Sequence, residues 1–493
     1  MKHKPVMFGS TPVLGHDVMP KGSFETIEGR TWYRISDFNR MPPFFMTITN
    51  PDDIWMFIAT TGGITAGRKE SDSALFPYNT VDRVIDDHTT TGGYSAVLVD
   101  RADSFSLWEP LSWSTPCVYD ITKSIRKDVY GNAVVFEEQN RSLGLTFRSG
   151  WESCSEFGIH RFSSITNDSD KPLKLRLLDG IRNIMPSGAS EIMQRSFSNL
   201  LNAYKRNEGD PLTGLSTFSL SATLTDQAEP SECLRSTTVW SYGLDGAKLM
   251  VSDNQLGAFR HGETPQDETD IKGQRGAYFR MKTLELGPGE TMEWGLVADV
   301  EQDHVSVNNL KRRLAADRSG LVSDLHSSLL SSRDRLERIL RDNDAMQDVE
   351  SLESRYHHLA NVMFNVMRGG YFVSGYMVQS QGFIDFVGRW NSEVGTRFSD
   401  WLEKLPDELP ISNLVRQCRE TDDPDLWRLS LEYLPLTFSR RHGDPSRPWN
   451  RFSIETRNTK DEPVVGYQGN WRDIFQNWEA LCLSFPMYFP SIA

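Results

Sequence analysis

The spacing of apolar positions along this chain of 493 residues changes once. From roughly residue 25 to 300 apolar and polar residues alternate with the period of strands, as in Leu173, Leu175 and Leu177 and in the runs Asn132 to Phe136 and Gly144 to Arg148. Turn chemistry separates the runs. Asn167-Asp168-Ser169-Asp170-Lys171-Pro172 precedes the leucine alternation, and Leu286-Gly287-Pro288-Gly289-Glu290 precedes Met292 to Val300. Many short strands without intervening helices predict an antiparallel β-sandwich over 1–305. The stretch Glu191 to Asn207 breaks the alternation and fits either a helix or a long loop.

Near Val305 the period lengthens. Val307, Leu310 and Leu314, then Leu325, Leu329, Leu336 and Leu340, form an apolar stripe among Arg, Asp and Ser, which predicts a helical linker over 306–350. Helical spacing continues through Tyr356, Leu359, Met363 and Val366, with Gly369-Gly370 and Gly388 as punctuation, and predicts an all-helical domain over 351–493. The apolar run from Leu481 to Pro490 has no polar cap after it and predicts a surface that lacks its partner.

Composition places the chain among soluble globular proteins, with 38% hydrophobic and 24% charged residues and length enough for two or three cores. A formal charge of -14 argues against nucleic acid or an anionic membrane as partner, since both reward basic surfaces. The start, Met1 to Val6, lacks the apolar core of a signal peptide, and the apolar run Ile54 to Ala59 is too short to span a bilayer. Cys117, Cys154, Cys233, Cys418 and Cys482 are scattered without a Cys-x-x-Cys pair, so neither a disulfide framework nor a zinc site is expected. The sequons Asn140-Arg141-Ser142 and Asn167-Asp168-Ser169 carry little weight without an export signal. A cytoplasmic protein with free thiols is the expectation. His357 and His358 are adjacent and point apart on a helix, and no Walker loop, dinucleotide fingerprint or His-Glu-x-x-His motif is present, so no metal and no cofactor is expected.

Candidate chemistry concentrates late in the chain. In Gly466-Tyr467-Gln468-Gly469-Asn470-Trp471-Arg472-Asp473-Ile474-Phe475-Gln476-Asn477-Trp478 the glycines allow a sharp turn and Asn470 can cap a following helix. On that helix Asp473, Gln476 and Asn477 share a polar face beside Ile474 and Trp478, a face able to address a polar ligand. Upstream, Arg440 to Arg451 packs four arginines, His442 and Trp449 into a loop, where guanidinium forks can hold a phosphate and an indole can stack on a sugar. The bland readings are a salt-bridged helix start for the first block and a solvated basic loop for the second.

The first block resembles the Gly-Phe-Arg-Asp-x-x-Gln-Asp motif of cellobiose phosphorylase-type glycoside phosphorylases. Arg472, Asp473 and Gln476 fall on the motif's arginine, first aspartate and glutamine; its final aspartate is Asn477 here, and one residue, Trp471 or Asn470, is inserted. Met41-Pro42-Pro43-Phe44-Phe45, Thr61-Gly62-Gly63-Ile64-Thr65-Ala66-Gly67-Arg68 and Phe76-Pro77-Tyr78 resemble the amino-terminal sandwich of the same enzymes. The resemblance implies a galactose-mutarotase-like supersandwich, a helical linker and an (α/α)6 catalytic barrel, with contributions to the pocket across a homodimer in some members. Twelve barrel helices of about 11 residues with short loops take on the order of 200 residues, so 351–493 would hold only a first part of the barrel, as in a carboxy-terminally truncated enzyme.

By the same resemblance Arg472, Asp473, Gln476, Asn477, Trp471 and Trp449 would hold an oligosaccharide, and Arg440, His442 and Arg447 would hold inorganic phosphate as co-substrate. The implied reaction is inverting phosphorolysis of a β-glucoside or β-glucan oligosaccharide to a sugar 1-phosphate. The family's general acid lies in an Asp-Trp-Asn-Asp-like segment that is not found here, so it is expected beyond Ala493 and the isolated chain is expected not to turn over. The alternatives are an inverting hydrolase of similar layout, which needs a second carboxylate to activate water, and a non-catalytic carbohydrate-binding or scaffold protein. Two further groups have mainly structural readings: Asp385, Arg389 and Trp390 as a buried ion pair beside a core tryptophan, and Thr65 and Arg68 in a hairpin that requires positive φ at Gly62 and Gly63.

Overall fold

A computed structural model describes residues 4, 6–14, 18–113, 118–224, 231–437, 452–458, 460, 462–465 and 479–492. The chain divides into two compact units, one within Met1–Arg333 and one within Asp334–Gly443 and Phe452–Ala493. Among the described residues no helix is long and apolar enough to cross a membrane, which leaves strands unaddressed.

The first unit is an antiparallel β-sandwich. Its large sheet has eleven strands, running in space from Asp270–Lys272 through Lys205–Asp210, Leu215–Leu220, Arg235–Tyr242, Thr291–Asp303, Gly158–Asn167, Leu145–Cys154, Ala133–Asn140, Ile121–Asp128 and Arg30–Ser36 to Lys21–Ile27. A five-stranded sheet orders Ser104–Trp108, Gly92–Arg101, Leu173–Ile184, Gly276–Leu286 and Lys248–Met250, and a four-stranded sheet runs from Phe45–Ile48 to Ala74–Phe76. The predicted alternation holds: Leu175 and Leu177 turn into a core with Phe147, Leu145 and Trp294, while Leu178 faces a second core with Phe279 and Phe259. Both faces of this strand are therefore buried.

The two turns singled out in the sequence meet at one residue. Asn167 is fully buried; its Oδ1 accepts from the Ser169 amide at 3.0 Å, and its Nδ2 donates to the carbonyls of Lys171 at 2.7 Å and Leu286 at 2.9 Å. Asn140 of the other sequon is equally buried, so neither asparagine offers room for a glycan on the folded chain. The ambiguous stretch resolves into two short helices, Glu191–Ser196 and Ser198–Tyr204, running directly into the strand Lys205–Asp210.

Asp303 caps the helix His304–Ala316 by accepting from the Ser306 amide at 2.8 Å, which is where the two-residue period ends. Leu314, Leu321 and Leu325 of this and the next helix, Arg318–Arg341, pack on Trp240, Val297 and Cys154 of the large sheet. Arg318 donates to the carbonyls of Ser241 at 2.8 Å and Thr213 at 2.6 Å, pinning the second helix to the sandwich.

The second unit is helical, with Leu352–Gly369, Ser380–Trp390, Ile411–Glu420 and Pro424–Glu432 as its longer helices. Its core joins Phe372, Phe383, Val387, Leu414, Leu426 and Leu429. Two sequence expectations are corrected here. The run after Leu481 is left without a partner only in part: Leu481, Phe485 and Tyr488 are buried in that core, with Phe485 against Phe372 at 4.6 Å between ring centroids, while Leu483 and Phe489 stay exposed. Asp385, Arg389 and Trp390 form no buried ion pair: the helix Ser380–Trp390 turns Phe383 and Val387 inward one turn apart, which carries all three to the exposed face and leaves Trp390 69% exposed.

Candidate functional site

Arg440, His442, Arg447, Trp449, Trp471, Arg472, Asp473, Gln476 and Asn477 lie outside the described residues. Of the other residues raised from sequence, Thr65 and Arg68 are structural. Thr65 is buried and its Oγ1 donates to the Pro77 carbonyl at 2.8 Å. Arg68 bridges Asp53 and Asp299, each at 2.6 Å, and these carboxylates hold the guanidinium charged against its burial. The hairpin expectation needs one change. Gly62 has φ of 91°, whereas Gly63 is required for proximity: a Cβ there would stand 1.8 Å from the Val84 carbonyl oxygen.

The turn after the helix Val81–Asp86 brings His88 and Thr89 to the lining of a cavity of about 290 Å3 in the sandwich. Its lining is aromatic and cationic, with Trp151, Trp113, Tyr94, Arg161, Arg182 and Arg260. Each is placed by a traceable contact. The loop bearing Trp113 is tied down by Glu138, which accepts from the Leu111 amide at 2.6 Å and from Trp108 Nε1 at 2.7 Å, while Trp113 Nε1 donates to the Thr60 carbonyl at 3.2 Å.

At the floor lies a buried ion pair between the sheets. Arg161 donates to Asp179 through both terminal nitrogens, at 2.6 and 2.9 Å; Ser95 Oγ and Trp294 Nε1 donate to the same carboxylate at 2.5 and 2.7 Å. Arg161 and Trp294 belong to the large sheet, Ser95 and Asp179 to the five-stranded one. Four donors on one fully buried carboxylate leave its charge satisfied. Gly93 lets the guanidinium pass, for a Cβ there would meet Arg161 Nε at 3.0 Å. That Nε is buried without a hydrogen-bond partner.

At the rim Tyr94 donates to Glu109 Oε1 at 2.5 Å, and Arg260 binds the same oxygen through Nε at 2.8 Å. Burial and then the Glu109 charge push the Tyr94 phenol well above its ordinary value, so it stays neutral. Arg182 stacks over the Tyr94 ring at 4.6 Å and donates to the His88 carbonyl at 3.2 Å; burial lowers its pKa despite the more distant charges of Asp253 and Glu109. His88 Nδ1 sits 3.1 Å from the Ile85 carbonyl, a contact that requires a proton on Nδ1.

No aspartate or glutamate is among the described lining residues. The cavity can stack, hydrogen-bond and attract, and the two carboxylates beside its described lining, Asp179 and Glu109, are each engaged by donors of the protein. Sequence reasoning did not raise Arg161, Tyr94, Trp151, Arg182 or Arg260. The signal available was a charged residue on an inward register: Arg161 two places after Ile159, and Asp179 two places after Leu177.

Comparison with known proteins adds one segment match. Residues 372–435 match the family model for glycoside hydrolase family 149 insertion domain 1, and this segment relates the chain to carbohydrate-active enzymes. No curated protein matches the chain. Among solved structures the chain is similar to a bacterial glucoamylase complexed with acarbose, at 10% identity and a TM-score of 0.33, covering 84% of this chain and 58% of that one. A candidate kojibiose phosphorylase from the human microbiome shows 11% identity and a TM-score of 0.36, covering 87% and 54%. A galactose mutarotase-like protein from Lactobacillus casei shows 10% identity and a TM-score of 0.29, covering 52% of this chain and 100% of its own. The chain spans a little over half the length of the first two.

Proposed function

We propose that this chain belongs to a carbohydrate-active enzyme that cleaves a β-glucoside or β-glucan oligosaccharide by inverting phosphorolysis, releasing a sugar 1-phosphate. The observation that carries the reading is one of sequence: the segment 372–435 matched to a glycoside hydrolase family is followed in the same chain by Arg472-Asp473-Ile474-Phe475-Gln476. The chain's path agrees with an insertion at that place. Tyr371 pairs with Thr437 and Phe372 with Leu436, so the two ends of the matched segment leave the rest of the unit side by side. The helices on either side, Leu352–Gly369 and Glu479–Ser484, pack against each other and would belong to the catalytic barrel.

In this reading Arg472, Asp473, Gln476, Asn477, Trp471 and Trp449 hold the saccharide, and Arg440, His442 and Arg447 hold inorganic phosphate, which attacks the anomeric carbon as a carboxylic acid protonates the leaving oxygen. No residue of this chain is assigned as that acid. Asn477 offers hydrogen bonds to sugar hydroxyls but no charge against a developing oxocarbenium ion. Titration of β-glucan oligosaccharides against the chain and its Arg472→Ala variant tests the assignment: affinity should fall about tenfold or more with loss of a charge-assisted hydrogen bond, and unchanged affinity would remove the sugar site from this block. For catalysis by the full reading frame, sugar 1-phosphate formed only when phosphate is supplied supports phosphorolysis. Free sugar formed without phosphate supports the inverting hydrolase.

A further inference from the structure

The sandwich holds another cavity, of about 470 Å3, whose described lining carries four cations and no carboxylate. It lies where the turn after Ala74–Phe76, the helices Glu191–Ser196 and Ser198–Tyr204, and the residue before the strand Gly276–Leu286 come together. Two of the cations have counterions: Arg195 pairs with Glu191 at 2.9 Å, and Arg83 lies in the field of Asp87. The other two, Lys205 and Arg275, have no carboxylate partner among the described residues.

Lys205 is the residue that asks for a ligand. It opens its strand directly from the helix Ser198–Tyr204, is only 5% exposed, lines the cavity, and its ammonium makes no hydrogen bond to a described residue. Burial, and then the charge of Arg275, push its pKa down to about 8. A buried cation with no carboxylate partner among the described residues, beside a second cation, is a costly arrangement in a chain with 67 acidic residues against 53 basic ones. The lining contains instead the neutral hydrogen-bonding groups of Ser198 and Asn202. A buried lysine, an exposed arginine and hydroxyl-binding groups in one lining match a small ligand with an anionic head and a polar body.

We propose that this cavity binds a phosphate group, either orthophosphate or a sugar phosphomonoester, with Lys205 and Arg275 on the phosphate oxygens and Ser198 and Asn202 along the sugar. The proposal names none of Arg440, His442 and Arg447, so its test can fail separately from that of the reaction proposed above.

Amine acylation near pH 8, read at Lys205 by peptide mass, tests it on the folded chain. Lys205 should be labelled in the free protein and protected by millimolar glucose 6-phosphate, by orthophosphate, or by both, and not by glucose. Protection by orthophosphate alone identifies the free ion as the ligand; protection by the monoester alone identifies an organic phosphate. Arg275→Gln should weaken protection about tenfold through loss of a charge-assisted hydrogen bond, whereas Arg447→Gln should leave it unchanged. A Lys205 that is unlabelled in the free protein, that is protected by neither phosphate, or that loses protection in Arg447→Gln overturns the proposal. Loss of sugar affinity in Arg472→Ala bears on the other reading and leaves this one standing.

Discussion

Arg161 and Lys205 are both buried cations in the same sandwich, yet one is surrounded by its answer and the other is not. Arg161 meets Asp179, whose carboxylate is held by Ser95 and Trp294 as well, and the four residues join two sheets. Lys205 has no carboxylate partner among the described residues and lies in the field of the like charge of Arg275. The difference separates structure from binding capacity: a charge paired within the protein contributes to the fold, and a charge left unpaired costs stability that a ligand can return.

The largest effect should come from breaking the satisfied pair. Asp179→Ala strands the Arg161 guanidinium in the interior and should lower unfolding free energy by about 3–5 kcal/mol, measured by urea titration; a loss under about 1 kcal/mol would mean the pair is not what joins the sheets. Removing the unsatisfied charge should act in the opposite direction. Lys205→Met should raise stability near pH 7 by about 1–3 kcal/mol in the absence of anions. The sign follows from linkage: the folded pKa of about 8 lies below the ordinary 10.5, so between them the unfolded chain binds more protons and wild-type stability rises with pH. The advantage of the methionine should therefore be full below pH 8 and fade toward pH 10. A variant less stable than wild type at pH 7 would show that Lys205 already has its counterion.

A finer cut tests how tightly the first pair is held. Gly93→Ala places a methyl 3.0 Å from Arg161 Nε, and because the guanidinium is pinned by Asp179 it cannot yield; about 1–2 kcal/mol should be lost, readable as a drop in Tm. The smallest effect is expected away from both regions. Trp390→Ala on the exposed face of its helix should change stability by less than about 0.5 kcal/mol in a thermal melt, and a larger loss would restore the core role assigned from sequence.

What the sequence disclosed and what it hid divide along range. Leu173, Leu175 and Leu177 announce their strand because two-residue alternation is local, and the helical stripe from Leu314 to Leu325 is legible for the same reason. Trp390 misled because an aromatic after a glycine-rich stretch resembles core until the helix phase is set by Phe383 and Val387. The aromatic and arginine cavity was hidden because its parts are far apart in the chain: Ser95, Arg161, Asp179 and Trp294 meet only through a strand order that neighbouring segments do not reveal. The Arg472 block was legible as a motif, but a motif states residue types and spacing, not the concavity they would line.

The node on Asp179 also sets an order of events during synthesis. Its last ligand, Trp294, lies 115 positions further along the chain, so the carboxylate and its guanidinium can first meet while that indole is still to be made. Until then the two sheets are joined by an incomplete clasp. The nascent sandwich can complete this node only after the strand Thr291–Asp303 has left the ribosome, a non-local closure of the kind that favours slow folding.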